Sequence, residues 1–205
     1  MTKIKFCGLT RPADIAAANE IRPDFIGFVF APRSRRRVSE ETAAALRPAL
    51  RPDIRVVGVF VDEAPDTVVR LLREGLIDAA QLHGRESGDY IRRLRDTAGK
   101  PVIRAFRVTG PRDLEDAASS AADYVLLDAG AGEGRTFDWR LLGDFPRPYF
   151  LAGGLTPANA AEAVRQLHPY AIDVSSGIET GGVKDKEKMA VFAAAVRKED
   201  GYEQP

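Results

Sequence analysis

Short apolar runs rich in β-branched residues alternate along the chain with longer Ala-, Leu- and Arg-rich stretches of helical period, at a repeat of roughly 25 residues. The apolar runs predict strands at Ile4–Cys7, Phe25–Phe30, Val56–Val61, Ala79–His83, Val102–Val108, Tyr124–Asp128, Tyr149–Gly153 and Ala171–Ser175. The stretches between them predict helices at Pro12–Ile21, Glu40–Leu50, Pro65–Glu74, Gly88–Ala98, Pro111–Ser120, Pro157–Leu167 and Asp185–Lys198.

Strict alternation of strand and helix favours a parallel sheet, and a strand number of eight favours a closed (β/α)₈ TIM barrel. The fold class predicted is therefore α/β, a compact single-domain barrel with short loops over residues 1–198, followed by a polar tail at 199–205. The alternative is a doubly wound open sheet. That sheet would leave two strand edges, and no segment of the sequence suggests how they would be protected. The turn after the first strand also lacks a GxGxxG nucleotide loop.

Side chains of a barrel strand alternate between the interior and the helix layer. On the first strand the apolar Ile4 and Phe6 are expected to face the helices, which turns Lys5 and Cys7 inward. A buried ammonium group without a partner is very costly. Asp173 has the matching parity on the strand that closes the barrel against the first one. We therefore predict that Lys5 and Asp173 form an ion pair across the seam.

Composition narrows the range of functions. The 205 residues carry 30 basic and 30 acidic side chains, so no overall field attracts nucleic acid or an anionic membrane surface. A single cysteine excludes an internal disulfide, and the chain lacks a signal-peptide core or a membrane-spanning apolar run, so we expect a cytoplasmic protein. Two histidines and one cysteine at these spacings match no metal-site pattern. No metal, nucleic-acid partner or membrane partner is expected.

Two groups suited to proton transfer close predicted strands. Cys7 stands before Gly8 at the end of the first strand, and Asp128 ends the sixth. Catalytic groups of barrels lie at the carboxyl ends of strands, so a thiol base and a carboxylic acid are expected on one rim. The alternatives are a buried small apolar cysteine and a turn-forming aspartate. The Gly-rich loop after Asp128 is long enough to act as a lid over a substrate.

Further candidates lie on the same rim. The basic run 33–37 follows the second strand, and an arginine there could clamp a carboxylate with its planar fork; a solvated surface or a nucleic-acid patch are the alternatives. His83 ends the fourth strand, as either a ligand contact or a structural histidine. Glycine clusters follow the last two strands, where barrels often bind phosphate with backbone N–H groups and a short extra helix. That helix is hard to see in residues 180–184.

Together, these motifs resemble phosphoribosylanthranilate isomerases, (β/α)₈ barrels of tryptophan synthesis. The resemblance covers nearly the whole chain and is most specific at its two ends. The motifs that carry it are Lys5-Phe6-Cys7-Gly8-Leu9-Thr10, Gly27-Phe28-Val29-Phe30 with Ser34-Arg35-Arg36, Gly58-Val59-Phe60-Val61, Gln81-Leu82-His83-Gly84, Leu127-Asp128, Thr136-Phe137-Asp138-Trp139, Ala152-Gly153-Gly154-Leu155 and Asp173-Val174-Ser175-Ser176-Gly177-Ile178-Glu179.

The resemblance implies an Amadori rearrangement of N-(5-phosphoribosyl)anthranilate to 1-(2-carboxyphenylamino)-1-deoxyribulose 5-phosphate, without a cofactor. Asp128 matches the general acid and Cys7 the general base, while Arg36, or else Arg35 or Arg37, matches the arginine that holds the anthranilate. The substrate-binding candidates are Arg36, His83, Gly153, Gly154, Asp173, Ser175, Ser176 and Gly177. The partner implied is a small phosphorylated molecule, and a monomer or a homodimer is compatible with the sequence.

This chemistry sets two expectations for proton affinity. Asp128 needs a raised pKa, which desolvation under a closing loop at 130–134 would supply. Cys7 needs a lowered pKa, which the inward Lys5 would supply. Two other functions stay open at this point. One is a barrel that binds a sugar phosphate without converting it; the other is a different phosphate-binding barrel enzyme of tryptophan or histidine synthesis, such as an epimerase or an indole-glycerol-phosphate synthase.

Overall fold

The computed structural model describes residues 1–128, 139, 142, 145–199 and 201. Eight parallel strands form a closed barrel in chain order. They are β1 Lys3–Cys7, β2 Phe25–Val29, β3 Arg55–Phe60, β4 Ala79–Leu82, β5 Val102–Arg107, β6 Tyr124–Asp128, β7 Tyr149–Ala152 and β8 Ala171–Val174. Because β8 pairs with β1, the barrel strands have no open edge. The closed barrel is thus confirmed, and the open sheet is wrong.

Helices surround the barrel. In the described residues they are α1 Pro12–Ile21, α2 Glu40–Leu46, α3 Pro65–Arg73, α4 Gly88–Ala98, α5 Pro111–Ala118, α6 Ala160–Leu167 and α7 Lys186–Glu199. A small antiparallel hairpin, β9 Glu179–Thr180 and β10 Val183–Lys184, stands between β8 and α7. Residues 180–184 are therefore part of a hairpin and do not form the extra helix. Most of the connection between β6 and β7, and residues 200 and 202–205 of the predicted tail, lie outside the described residues.

Some predicted boundaries are wrong for local reasons. Helix α2 ends at Leu46, before the predicted Leu50, and the chain continues as a 3₁₀ turn around Pro48, which has no N–H to extend an α-helix. Helix α6 begins at Ala160, after the predicted Pro157, because the Asn159 side chain organises a turn before it. Its oxygen accepts the Thr156 N–H at 2.8 Å, and its nitrogen donates to the Gly154 carbonyl at 3.1 Å.

The alternation along β1 is confirmed. Ile4 and Phe6 pack in the layer between strands and helices, where the Phe6 ring lies 6.4 Å from that of Phe192 on α7. Lys5 and Cys7 face the barrel interior. The lower part of that interior is filled by apolar side chains from most of the strands, including Phe25, Val57, Ile103, Leu126 and Phe150. The upper part, at the carboxyl ends of the strands, opens into a cavity.

The predicted ion pair across the closing seam is confirmed. Lys5 and Asp173 lie opposite each other in the β1–β8 register, and the Lys5 Nζ atom is 2.8 Å from Asp173 Oδ2. The Lys5 side chain is fully buried. Burial alone lowers the pKa of Lys5, but attraction to Asp173 and to Cys7 outweighs burial and keeps its pKa above the ordinary value. Lys5 is therefore a permanent cation under the cavity floor.

Replacing Lys5 tests how much the pair supports the barrel. Lys5→Met leaves the Asp173 carboxylate buried without its partner, so we expect the free energy of unfolding to fall by about 3–5 kcal/mol. Denaturant titration measures the loss. The control is Arg93→Met, which removes an exposed ion pair with Asp66 and should cost at most about 1 kcal/mol. Equal stability of Lys5→Met and the parent would contradict a structural role for the pair.

Candidate active site

A cavity of about 250 Å³ opens at the carboxyl ends of the strands. It brings together all of the predicted site residues except Gly177. Its polar lining consists of Cys7, Ser34, Arg36, Gln81, His83, Asp128, Gly153, Gly154, Asp173, Ser175 and Ser176. Residues from strands far apart in the sequence thus share one space, which is the arrangement that catalytic groups of barrels require.

Cys7 ends β1, and its thiol packs against β2. Gly27 is its register partner, and a Cβ atom built on Gly27 would lie only 2.8 Å from the Cys7 sulfur. Glycine at this position therefore gives the thiol its room. The Cys7 carbonyl accepts a hydrogen bond from the Ser175 hydroxyl at 3.0 Å, which ties the end of β1 to the segment after β8.

The expected lowering of the Cys7 pKa is wrong for the protein without substrate. Burial raises the pKa of the thiol, and this effect exceeds the opposing attraction of Lys5 and Lys184; Asp173 adds to the increase. The loss of solvent around the thiol thus outweighs the positive charge of Lys5 below it. Near neutral pH the resting thiol is therefore protonated.

Asp128 ends β6 across the cavity from β1, with its side chain 27 % exposed. His83 follows β4, and its Nε2 atom lies 3.7 Å from Asp128 Oδ2. The Gln81 amide nitrogen is 3.4 Å from His83 Nδ1, on the side of the ring away from Asp128. The loop at 130–134, on which the expected pKa increase of Asp128 depends, lies outside the described residues.

Two buried acceptor oxygens line the cavity. Gln81 Oε1 and Asp173 Oδ1 accept no hydrogen bond within the described part of the chain. A buried acceptor without a donor is destabilising, so these two oxygens are polar positions that the fold leaves unpaired beside the cavity. Gln81 was not among the predicted site residues. Its polar side chain at an inward position of β4 was the available signal.

Arg36 lies along the cavity wall because Gly8 leaves space for it. Gly8 has a φ of +79°, and a Cβ atom built there would lie 2.5 Å from Arg36 Cδ. The Arg36 guanidinium binds Glu179 on β9, with Nη2 2.9 Å from Oε2 and Nε in contact with Oε1. Arg35 reaches the same carboxylate at 3.1 Å, but its side chain is 64 % exposed. Of the four arginines in the basic run, Arg36 is thus the one that lines the cavity.

Gly8→Ala should displace Arg36 and weaken substrate binding. Arg36 is the residue expected to hold a carboxylate of the substrate. Since misplacing such a group by about 1 Å is costly, we expect KM to rise about 10-fold or more. The control is Gly75→Ala at the opposite mouth of the barrel, where φ is +74° but a Cβ atom would meet nothing within 4 Å. Both variants carry similar backbone strain. Steady-state kinetics that show the same KM for both would contradict the role of Gly8.

The two glycine-bearing segments lie side by side. Gly153 and Gly154 have φ values of 93° and 65°, and the segment after β8 forms a 3₁₀ turn at Ser176–Ile178. A Cβ atom on Gly177 would overlap the Leu155 carbonyl oxygen, so glycine permits this close approach. Gly177 is thus a packing residue between the segments, and the backbone around Gly154 and Ser176 faces the cavity.

In the described residues, no group of three or more His, Cys, Asp or Glu side chains is placed to hold a metal ion. Over the same part of the chain, no helix combines the length and the apolar character needed to cross a membrane.

A closed (β/α)₈ barrel with a thiol, a carboxyl group, an arginine and glycine-rich segments around one cavity belongs to the class of barrel enzymes. The family model described as "N-(5'phosphoribosyl)anthranilate (PRA) isomerase" matches residues 4–195. The N-(5'-phosphoribosyl)anthranilate isomerase of Endomicrobium trichonymphae is 45% identical over 194 residues, covering 92% of this chain and 95% of the relative.

Two solved structures agree with this result. One is a phosphoribosyl anthranilate isomerase in complex with reduced 1-(o-carboxyphenylamino)-1-deoxyribulose 5-phosphate. Its TM-score is 0.87 and its sequence identity is 35%, and the match covers 97% of this chain and 100% of that one. The other shows monomers of a dimeric phosphoribosylanthranilate isomerase from Thermotoga maritima, with a TM-score of 0.85, 34% identity, and 96% and 99% coverage. The chain belongs to the N-(5'-phosphoribosyl)anthranilate isomerase family and is an isomerase. A different phosphate-binding barrel enzyme is thereby excluded.

Proposed function

We propose that the protein converts N-(5'-phosphoribosyl)anthranilate to 1-(2-carboxyphenylamino)-1-deoxyribulose 5-phosphate, an Amadori rearrangement of tryptophan synthesis, with Asp128 as general acid and Cys7 as general base. The observation that carries the assignment of residues is the single cavity lined by both groups, with Arg36 and the glycine segments around it. Family membership and the product analogue bound by a relative support the substrate.

The first step opens the sugar ring. The protonated Asp128 carboxyl gives its proton to the furanose ring oxygen, and the bond between that oxygen and C1 breaks. The lone pair on the anthranilate nitrogen forms the C1–N double bond of a protonated Schiff base. The substrate's own nitrogen thus holds the positive charge that makes the neighbouring C2 proton acidic. His83 lies on the outer side of Asp128, where its Nε2 can help to orient the carboxyl group.

The second step transfers a proton from C2. The ionised fraction of Cys7, which is small near neutral pH because burial raises the pKa of the thiol, takes this proton. The C2–H electrons form the C1–C2 double bond of an enolamine while the C–N double bond becomes single. Transfer of the C2 hydroxyl proton, with reprotonation at C1, then gives the ketone. Lys5 is a fixed cation beneath Cys7, so its positive charge stabilises the thiolate form of Cys7.

Binding is divided among the remaining groups. Arg36 holds the anthranilate carboxylate, the backbone around Gly153, Gly154 and Ser176 holds the phosphate, and Asp173 and Ser175 contact the sugar. Binding of the phosphate, far from the reacting carbons, supplies binding energy that orients the sugar in the site. Every group in this scheme comes from one chain, so the site does not require a second copy. Glycine N–H groups beside a turn are well suited to an anion.

Fluorescence of the anthranilate group tests the function. Freshly prepared N-(5'-phosphoribosyl)anthranilate should lose its fluorescence on addition of the protein, and Cys7→Ser should slow this loss by at least about 100-fold, the lower range for removing a general base. A sugar-phosphate-binding barrel without activity would leave the fluorescence decay at its spontaneous rate. The same decay with parent and variant would overturn the role of Cys7.

A further inference from the structure

Glu179 is the centre of a buried charge cluster beside the cavity. Its carboxylate is only 4 % exposed, and it contacts three cations: Arg36, Arg35 and Lys184. Oxygen Oε1 accepts from Arg36 Nε and from Lys184 Nζ at 2.7 Å, and Oε2 accepts from the Nη2 atoms of both arginines. Each carboxylate oxygen therefore has two donors, and the group is held in one orientation.

Lys184 connects this cluster to the segment that follows β8. Its Nζ atom is 2.8 Å from the Ser175 carbonyl oxygen, and the Ser175 hydroxyl in turn donates to the carbonyl of Cys7. The Lys184 side chain is 2 % exposed, and the hairpin β9–β10 places it directly opposite Glu179 in the register. Glu179 is thus fixed relative to β1 and β8, which carry Cys7 and Asp173.

The cluster determines what Arg36 presents to the cavity. Nε and one hydrogen of Nη2 are engaged by Glu179 in a bidentate contact. The remaining N–H groups of the planar guanidinium lie on its other edges, away from Glu179. Three cations against one carboxylate leave a net charge of +2, so a ligand carboxylate is attracted to the free edge.

We propose that Glu179 is a positioning residue of the isomerase, which with Lys184 fixes the Arg36 guanidinium so that its free edge meets the carboxylate of the substrate. This inference rests on the proposed function, because it requires that the substrate carry a carboxylate at Arg36. Glu179 does not touch the reacting atoms. It acts through Arg36, and it affects the grip on the carboxylate in ground state and transition state alike.

Glu179→Gln tests the inference with little change in shape. Interactions equal in the ground and transition states appear in KM, so we expect KM to rise roughly 10- to 100-fold and kcat to change far less. Glu187→Gln, an exposed glutamate at the start of α7, is the matched control and should behave as the parent. Glu179→Asp keeps the charge, so its KM should rise less than that of Glu179→Gln.

Binding measurements separate positioning from a merely structural role. Calorimetry compares reduced 1-(o-carboxyphenylamino)-1-deoxyribulose 5-phosphate with the same compound lacking the carboxylate. Glu179→Gln should weaken the first by the same roughly 10- to 100-fold and leave the second unchanged. In an Arg36→Met background, Glu179→Gln should have no further effect on either ligand.

The outcomes are distinguishable. If the parent neither binds the carboxylated compound nor turns over the substrate, the proposed function fails. If the parent does both and Glu179→Gln matches it, or weakens both ligands equally, the positioning role is overturned. If Glu179→Gln does not fold, Glu179→Asp carries the same comparison, because a shortened carboxylate would draw Arg36 away and weaken only the carboxylated ligand.

Discussion

Asp128→Asn should lower kcat by about 10²- to 10⁴-fold while KM stays near that of the parent. The amide has the shape of the carboxyl group but cannot donate an acidic proton to the ring oxygen. Asp128 stands at the carboxyl end of β6, where it lines the cavity, so its replacement acts on the chemistry more than on the fold. Steady-state fluorescence assays measure both constants.

The same strand supplies a control for this variant. Asp123 directly precedes β6, at its amino end, and pairs with Arg95 at 3.1 Å on the opposite mouth of the barrel. Asp123→Asn makes the same chemical change far from the cavity, so kcat should stay close to the parent's. An Asp128→Asn variant with unchanged kcat would show that another group protonates the ring oxygen.

Cys7→Ala should also lower kcat by about 10²- to 10⁴-fold, since it removes the base that takes the C2 proton. Loss of the base makes C–H cleavage the slow step. A substrate with deuterium at C2 should therefore show a larger isotope effect with Cys7→Ala than with the parent. An isotope effect that does not increase would contradict the assignment of Cys7 as the base.

The pH dependence should distinguish the two roles. The parent requires a protonated acid and an ionised thiol, so kcat/KM should fall at both pH extremes. Asp128→Asn depends on the thiolate alone, and its residual activity should rise with pH. Since burial raises the pKa of Cys7, this rise should continue above the ordinary thiol pKa of about 8.5. Cys7→Ala depends on the acid alone and should only lose activity as pH increases. Profiles that keep both limbs in both variants would overturn the assignments.

The sequence was sufficient to predict much of the fold and of the cavity. The period of strands and helices predicted the barrel, and the parity of Lys5 and Asp173 predicted their ion pair. Both follow from local rules that hold at every strand of a closed barrel. His83, Gly153 and Ser175 were predicted as the last residues of strands, whereas they lie just past the strand ends. Their place on the rim was unaffected by this difference.

The remaining features depend on contacts that the local pattern does not encode. The short hairpin β9–β10 brings Lys184 onto Glu179, and a two-residue strand produces no periodic signal. The pKa of Cys7 depends on the balance between desolvation and two nearby cations, which requires the packed structure. The later start of α6 depends on one asparagine side chain.

The central claim is that the Cys7 thiol and the Asp128 carboxyl act on one pentose from two sides. A crystal structure of the protein with reduced 1-(o-carboxyphenylamino)-1-deoxyribulose 5-phosphate tests it most directly. We predict the Cys7 sulfur beside C2 and an Asp128 oxygen within about 3 Å, or one bridging water, of the oxygen that closes the furanose ring in the substrate. A sugar that contacts only one of the two groups, or lies with both beyond reach of a bridging water, would contradict the account.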